Sequence, residues 1–279
     1  MERFTAAADL HTWSVGQKQA GMKIGLVPTM GYLHEGHLSL IREARRHCDK
    51  VIVSIFVNPT QFAPNEDYDA YPHKEAEDIA LCEAEGAAAV FLPTPEEMYP
   101  TGASTWVEEV TLAKGYCGAQ RPIHFRGVCT VVAKLFNIAA PDIAVFGQKD
   151  FQQVAVIRRM VRDLNFPVRI IRAPIIRDED GLAKSSRNTY LSPDARKSAL
   201  CLSRALAAAG EAVANGERNA AVIESAIRET TTAEGWLPDY VNVVDPETLM
   251  PLETICPGAS AILLACRKNG LRLIDNILL

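Results

Sequence analysis

Short apolar runs alternate with amphipathic helical patterns through the first two-thirds of the chain, and this alternation constrains the fold most strongly. Residues 50–57 read KVIVSIFV, a β-branched run typical of a strand buried on both faces. Around it, apolar residues recur at helical spacing over residues 37–48 and 74–85. Repeated strand–helix–strand units predict an α/β fold with a parallel sheet and right-handed crossovers.

The pattern changes beyond about Pro174. Two Ala-rich helical stretches are followed there by three short strand-like segments, at residues 194–215, 220–231, 240–244, 261–266 and 271–278. Helices grouped before strands are typical of an α+β arrangement. We therefore expect a larger domain over residues 1–174 and a smaller α+β domain over residues 175–279.

Composition excludes several classes of protein. With 48% hydrophobic residues among 279, the chain can build a real core, and its net charge of −5 argues against a protein that mainly holds nucleic acid. Its seven cysteines include no CxxC pair and indicate reduced thiols rather than a zinc site or disulfide framework. No signal-peptide pattern or membrane-length apolar run is present, so we expect a cytoplasmic protein without a membrane partner.

Polar segments follow three of the expected strands. PTMGYLHEGH occupies residues 28–37, NPTQF residues 58–62 and GQKD residues 147–150, with Gln153 in the first turn of the next helix. Ligands of open α/β sheets bind outside the carboxyl ends of the strands. The three segments therefore predict one site for a nucleotide and a small polar acid.

The HEGH segment contains two histidines whose spacing suits phosphate binding. His34 and His37 are three residues apart and face the same side if both lie near a helix start, where helix amides and imidazole donors suit a phosphate. A glycine turn with two surface histidines is an alternative. A metal pair is another, although no third ligand is evident and the spacing differs from that of zinc peptidases.

A second charged segment spans residues 177–188. Lys184 and Arg187 bracket two hydroxyls, Ser185 and Ser186, a set able to neutralise a leaving pyrophosphate. A solvated charged turn around Gly181 is the alternative. Similarly, Lys149-Asp150 could be an ion-paired helix start, and the glutamines could be ordinary surface amides.

These motifs carry a family resemblance over nearly the whole chain. PTMGYLHEGH, FVNPTQF, RPIHFRGVCTVV, FGQKDFQQ and DGLAKSSRN, with C-terminal YVNVVDPETL and RLIDNI, resemble the pantothenate synthetase family in order and spacing. More distantly, HEGH and KSSR resemble the paired signatures of the nucleotidylyltransferase and class I aminoacyl-tRNA synthetase superfamily. The resemblance implies a Rossmann-like, doubly wound parallel sheet that binds ATP and pantoate, with the smaller C-terminal domain as a lid.

The resemblance also implies the reaction. Enzymes of this family condense (R)-pantoate with β-alanine to give pantothenate, through a pantoyl-adenylate, while ATP becomes AMP and pyrophosphate. It also implies a homodimer. Since no all-protein metal cage is visible in the sequence, we expect Mg²⁺ to accompany the ATP phosphates and no separate metal site.

The resemblance assigns roles to individual residues. ATP-binding positions are Met30, Gly31, Tyr32, Leu33, His34, Glu35, Gly36, His37, Gly147, Gln148, Lys149, Asp150, Ile176, Lys184, Ser185, Ser186 and Arg187. Positions implied for catalysis are His34, His37 as the acid, Lys149, Ser185, Ser186 and Arg187. Positions implied for pantoate are Gln61 and Gln153, with Asn58 and Tyr71 near that pocket.

A few positions depart from the family pattern or lack a role. Lys184 stands where other members often have an apolar residue, and Ile123 replaces an expected glycine. No role is assigned to His124, Arg126, Cys117 and Cys129.

Two other functions remain open at this point. A nucleotidylyltransferase that keeps the nucleotide on its product would share the HEGH loop, although FVNPTQF and FGQKDFQQ match the pantoate-binding set. A tRNA-binding or regulatory module is the second, and the acidic net charge argues against it.

Overall fold

The computed structural model describes residues 1–64, 66 and 68–279, which form two compact units. The first unit comprises Met1–Gly147 and Val156–Ala173, and the second comprises Gln148–Ala155 and Pro174–Leu279. The short segment Gln148–Ala155 thus groups with the C-terminal part of the chain although it directly follows a strand of the first unit.

The first unit is built on a six-stranded parallel sheet in the order β1-β4-β3-β2-β5-β6. Its strands are β1 (Glu2–Phe4), β2 (Ile24–Thr29), β3 (Lys50–Ile55), β4 (Ala89–Phe91), β5 (Ile143–Gly147) and β6 (Arg169–Ala173). The strand order reverses on either side of β2, which pairs with both β3 and β5. This confirms the doubly wound sheet, and it brings the carboxyl ends of β2, β3 and β5 to one edge.

Helices cover the sheet as the crossovers require. They are α1 (Ala7–Gln19), α2 (Glu35–Arg45), α3 (Glu75–Ala84), α4 (Pro95–Met98), α5 (Tyr116–Gln120), α6 (His124–Ala139) and α7 (Phe151–Asp163). Short 3₁₀ helices occur at Pro59–Gln61, Gln148–Asp150 and Ser186–Tyr190. The predicted α2, α3 and α7 are confirmed within a few residues of their ends.

Two long helices were not predicted, for different reasons. Most of α6 is buried, but its sequence does carry an amphipathic pattern, with Arg126, Lys134 and Asn137 on one less buried face, and the prediction missed it. In α1 only Leu10 and Ser14 are buried and the apolar period is weak.

The second unit contains a three-stranded antiparallel sheet in the order β7-β8-β9, with two helices. Its elements are α8 (Pro193–Ala214), α9 (Ala220–Ala233), β7 (Leu237–Val244), β8 (Ala261–Lys268) and β9 (Leu271–Leu278). Trp236, Leu202, Leu206 and Ile227 are fully buried in its core. The predicted α+β character of this region is confirmed. No helix in the described part of the chain is long and apolar enough to cross a membrane.

Candidate active site

The loop that follows β2 is held by a buried carboxylate from α3. Asp78 is only 2% exposed. Its Oδ2 accepts a hydrogen bond from the Tyr32 amide at 2.8 Å and its Oδ1 accepts one from the Leu33 amide at 2.7 Å. Gly31 and Tyr32 both have positive φ, at 82° and 51°. The carboxylate therefore stabilises a left-handed turn that a non-glycine residue rarely adopts.

The two histidines of this loop cap α2 with their rings. The Gly36 amide donates to His34 Nδ1 at 3.1 Å, and the His34 amide donates to His37 Nδ1 at 3.3 Å. The ring centroids lie 4.1 Å apart. Because each Nδ1 accepts a hydrogen bond, the neutral imidazoles carry their proton on Nε2. Both rings therefore have an Nε2–H donor, at the positive end of a helix dipole.

Asn58 and Gln61 lie together at the 3₁₀ helix that follows β3. Both are buried, at 1% and 7% exposed. Asn58 Nδ2 donates to Gln61 Oε1 and to the Gly127 carbonyl, both at 3.2 Å. The Gln61 amide nitrogen contacts the Met30 sulfur. The structure thus joins two of the predicted acid-binding residues to the first residue of the predicted ATP loop.

The backbone of Gln61 is held by α6, a helix that was not among those predicted. At the start of α6, His124 Nδ1 donates to the Gln61 carbonyl at 2.9 Å, and its Nε2 accepts from Arg121 at 3.2 Å. Arg121 also pairs with Glu66 at 2.6 Å. Burial raises the pKa of Glu66, but the hydrogen bonds and charge of Arg121 outweigh it and hold that pKa below its usual range.

Close packing between α6 and this 3₁₀ helix explains a glycine. A Cβ on Gly127 would lie 2.5 Å from the Thr60 carbonyl oxygen and 2.7 Å from the Gln61 Cα, so a larger residue would push the acid-binding turn away. Tyr71 is buried, with its ring edge against Phe62. Arg126 lies over the Trp106 ring at 4.9 Å, and burial raises the pKa of the Cys129 thiol to about 12, which leaves it unreactive.

Gly147 ends β5 in the first unit, and the residues that follow it belong to the second. Lys149 Nζ lies 3.5 Å from Asp150 Oδ1, so the ion-paired start of α7 is present. Lys149 is half-buried, Asp150 is exposed, and Gln153 is half-buried in the first turn of α7.

The other charged segment of the second unit forms a short hairpin. Arg177 and Ala183 make an antiparallel bridge, and the Ile176 carbonyl accepts the Lys184 amide at 2.9 Å. Ser185 then caps the 3₁₀ helix Ser186–Tyr190 by accepting the Arg187 amide at 3.3 Å. The side chains from Lys184 to Arg187 are therefore carried on an ordered turn and are all half-buried.

Lys184 shares its charge with a carboxylate. Asp178 pairs with Lys184 and, at 2.8 Å, with Arg196, which also pairs with Asp180 at 2.9 Å. Burial raises the pKa of Asp178, but the hydrogen bonds from Lys184 and Arg196 together lower it below its usual value. Within residues 1–64, 66 and 68–279, no group of three or more His, Cys, Asp or Glu side chains is placed to hold a metal ion.

Comparison with known proteins identifies the family. The model of the pantoate–beta-alanine ligase family matches residues 2–278. The chain belongs to the pantoate–beta-alanine ligase family. It is accordingly an enzyme, a ligase that acts as a pantothenate synthetase, which confirms the family resemblance of its motifs.

Similar proteins support the assignment along the whole chain. Pantothenate synthetase from Heliobacterium modesticaldum is 53% identical over 278 residues, which cover 99% of each chain. The crystal structure of pantothenate synthetase from Thermus thermophilus matches with a TM-score of 0.92 at 46% identity, covering 99% of both chains. Pantoate-beta-alanine ligase from Francisella tularensis, complexed with beta-gamma ATP and beta-alanine, matches with a TM-score of 0.80 at 34% identity over 100% of this chain and 97% of that one.

Several residues that shape the candidate site carry no signal in the sequence. Asp78 and Glu66 are two among many acidic residues, and only the folded chain shows what they hold. His124 was noticed but had no role, and the structure places it on the Gln61 carbonyl. The RLIDNI segment was noticed only as a resemblance, and it contains Asp275 and Asn276, both buried.

Proposed function

We propose that the chain condenses (R)-pantoate with β-alanine in two steps at the residues described above. Pantoate attacks the α-phosphorus of ATP, giving pantoyl-adenylate and pyrophosphate, and the amine of β-alanine then attacks the acyl carbon and releases AMP. The observation that carries this proposal is the pair of imidazoles at the start of α2, both with the proton on Nε2. Such donors suit the charge that develops on phosphate oxygens.

In the first step, the loop from Met30 to His37 binds the ATP phosphates. Tyr32 and Leu33 have their amides on Asp78, and the amides of Gly36 and His37 donate to His34. The proposed donors for phosphate are therefore the His34 and His37 imidazoles. His37 is the proposed acid. Each ring is held in place by the hydrogen bond that its Nδ1 accepts. The imidazoles therefore need to move little when negative charge develops on the phosphate oxygens.

Pantoate binds beside this loop, through Gln61 and Gln153, with Asn58 and Tyr71 close to its pocket. A carboxamide offers both a donor and an acceptor, which suits an acid that also carries hydroxyls. The Gln61 side chain is oriented by Asn58 and its backbone by His124, so its amide is preorganised for a small ligand.

Further nucleotide contacts are proposed, from the family resemblance, for residues 147–150, Ile176 and residues 184–187. Asp150 would contact the ribose and Ile176 would offer backbone to adenine. Donors and backbone groups for the remaining nucleotide contacts are Gly147, Gln148, Lys149, Lys184, Ser185, Ser186 and Arg187. Lys184 differs from the others because its charge is already shared with Asp178.

Mg²⁺ is proposed to arrive with ATP, since it prefers phosphate oxygens and waters to an all-protein cage. It would neutralise charge on the phosphates. The complex of the Francisella tularensis ligase with an ATP compound and β-alanine supports these two substrates for the present chain.

The proposal is tested by product analysis and isotope exchange. Protein is incubated with ATP, Mg²⁺, pantoate and β-alanine, and pantothenate, AMP and pyrophosphate are expected by mass spectrometry. Labelled pyrophosphate should exchange into ATP when pantoate is supplied without β-alanine. Exchange that strictly requires β-alanine would replace the two-step route by a concerted one, and a product that retains the nucleotide would indicate a nucleotidylyltransferase.

The family resemblance further supports a cytoplasmic homodimer in which residues 175–279 act as a lid over the ATP- and pantoate-binding domain at residues 1–174. Light scattering on a sizing column tests the dimer, and a monomer at assay concentration would contradict it. Small-angle scattering with and without ATP and pantoate tests the lid, which predicts a smaller radius of gyration on binding.

A further inference from the structure

Strand β9 carries two adjacent buried polar residues, Asp275 and Asn276, at 4% and 3% exposed. Adjacent side chains of a strand point to opposite faces, so the two can reach different segments of the second unit. Buried polar groups of this kind are kept only where hydrogen bonds repay their desolvation. Each of them makes such bonds to a segment that carries proposed ATP-binding residues.

Asn276 holds the turn that carries Lys149. Its Nδ2 donates to the Gln148 and Lys149 carbonyls, both at 3.0 Å, and its Oδ1 accepts from Gln148 Nε2 at 3.2 Å. Both amide hydrogens and the amide oxygen are therefore used on a 3₁₀ helix that is only three residues long. A helix so short has few hydrogen bonds of its own, so its geometry depends on this side chain.

Asp275 holds the other segment. Its carboxylate accepts two hydrogen bonds from the Arg177 guanidinium, at 2.7 and 2.9 Å, and Arg177 also donates to the Gly181 carbonyl at 3.2 Å. This bidentate pair fixes the hairpin that leads into residues 184–187. One strand of the antiparallel sheet thus supports both turns.

We propose that Asn276 is a positioning residue for adenylate formation, which acts by fixing the backbone of Gln148 and Lys149 and thereby the Lys149 ammonium. The inference rests on the proposed role of Lys149 at the ATP phosphates. Two carbonyls face the Asn276 amide group, and only a side chain with two hydrogens on one atom satisfies both. Holding these carbonyls also keeps their negative ends from turning towards an anionic ligand.

The test is a double-mutant cycle between Asn276→Ala and Lys149→Ala, read by pantoate-dependent pyrophosphate exchange at varied ATP. Asn276→Ala alone should reduce kcat/KM for ATP by about 10- to 100-fold, since small displacements of a positioning group have effects of this size. The KM for β-alanine should stay unchanged. In the Lys149→Ala background, Asn276→Ala should have less than about twofold further effect, because the group it positions is gone.

Matched variants separate positioning from a loss of stability. Ser260→Ala removes a hydrogen bond made by another buried side chain of the second unit, from the Cys256 amide to Ser260 Oγ, and should leave ATP kinetics unchanged. Asn276→Ser keeps one donor and should give a smaller defect than Asn276→Ala, and it serves as the test variant if Asn276→Ala does not fold. Circular dichroism at the assay temperature shows which variants are folded.

Three results would overturn the inference: equal effects of Asn276→Ala in both backgrounds, an equal loss for all substrates, or unchanged ATP kinetics in folded Asn276→Ser and Asn276→Ala. Failure of the proposed function has a different signature, since wild-type protein would then show no pantoate-dependent exchange at all.

Discussion

Two proposed phosphate-binding segments are each held by one buried side chain, but with opposite hydrogen-bonding polarity. In the loop after β2, the Asp78 carboxylate accepts from two successive backbone amides. In the turn after β5, the Asn276 amide donates to two successive backbone carbonyls. A charged acceptor therefore holds one segment and a neutral donor holds the other.

This difference in hydrogen bonding affects how each segment can bind an anion. The loop after β2 has two amides occupied by Asp78, and the first amides of α2 donate to His34, so its proposed donors for phosphate are the imidazoles. In the turn after β5 the carbonyls are occupied instead, so the groups that would repel phosphate are already satisfied. Replacing either side chain by its isostere should break at least one of its hydrogen bonds, because a backbone amide cannot accept and a backbone carbonyl cannot donate.

The largest loss of activity is expected when a histidine of the loop after β2 is replaced. His37→Ala should lower the rate of adenylate formation by about 10²–10³, the usual loss for one preorganised donor to a developing charge. Pantoate-dependent pyrophosphate exchange measures this directly. His47→Ala is the matched control, because that histidine pairs with Glu43 on the surface of the same region and should leave the rate unchanged. Near-normal exchange by a folded His37→Ala protein would contradict the proposed role of His37 as the acid.

The second-largest effect is expected from Asp78, the side chain that holds the loop after β2. Asp78→Asn places an amide group where two backbone N–H groups need acceptors, so at least one amide loses its partner, at a cost of about 1–3 kcal/mol in the free energy of unfolding. Displacement of the histidines should also reduce exchange by about 10²-fold.

Glu77→Gln is the control for Asp78→Asn. It lies on the same helix in an exposed ion pair with Lys74, and the loss of such a pair changes the unfolding free energy by about 0–1 kcal/mol. If Asp78→Asn and Glu77→Gln had equal effects on exchange, the carboxylate would not hold the loop as described.

A smaller effect, on the KM values of the two substrates, distinguishes residues that bind pantoate from residues that bind ATP. Gln153→Ala should raise the KM for pantoate by about tenfold, the value of one good hydrogen bond, while the KM for ATP changes less. Gln61→Ala should behave in the same way. Initial rates at varied pantoate and varied ATP separate the two constants, with Gln19→Ala at the exposed end of α1 as control. A rise in the ATP constant alone would show that these glutamines serve the nucleotide instead.

The smallest effect is a pH-dependent one in the second unit. Asp178 has a lowered pKa, so its pairing with Lys184 and Arg196 stabilises the fold above the usual Asp value of about 3.9 and loses this contribution as the pH falls through the lowered pKa. Asp178→Asn should cost about 1 kcal/mol at pH 7 and nothing at low pH. Melting temperatures of both proteins between about pH 7 and pH 2 measure the difference. Because the Asn276 contacts are uncharged, the loss of unfolding free energy in Asn276→Ala should not depend on pH. If the difference in melting temperature between wild type and Asp178→Asn stayed constant with pH, the ion pairs of Asp178 would not be the cause of the stabilisation.

The sequence predicted the secondary structure well where burial leaves a periodic trace. The β3 run is apolar because both faces of the strand are covered, and α2 is amphipathic because one face packs on the sheet. In α1 weak burial leaves no such pattern. In α6 the pattern is present, with Arg126, Lys134 and Asn137 along one less buried face, and the prediction missed it. The site motifs could be recognised because glycines, histidines and hydroxyls at strand ends are chemically distinctive.

By itself, the sequence determined that the chain forms a parallel α/β sheet with polar loops at its strand ends and an α+β region after it. This follows because helical and strand periodicity are local properties. The tertiary structure alone decided which side chains fix those loops. Asp78 lies 46 residues from Tyr32, His124 lies 63 from Gln61, and Asn276 lies 128 from Gln148. A hydrogen bond over such distances depends on which surfaces meet in the folded chain, and no spacing in the sequence encodes that.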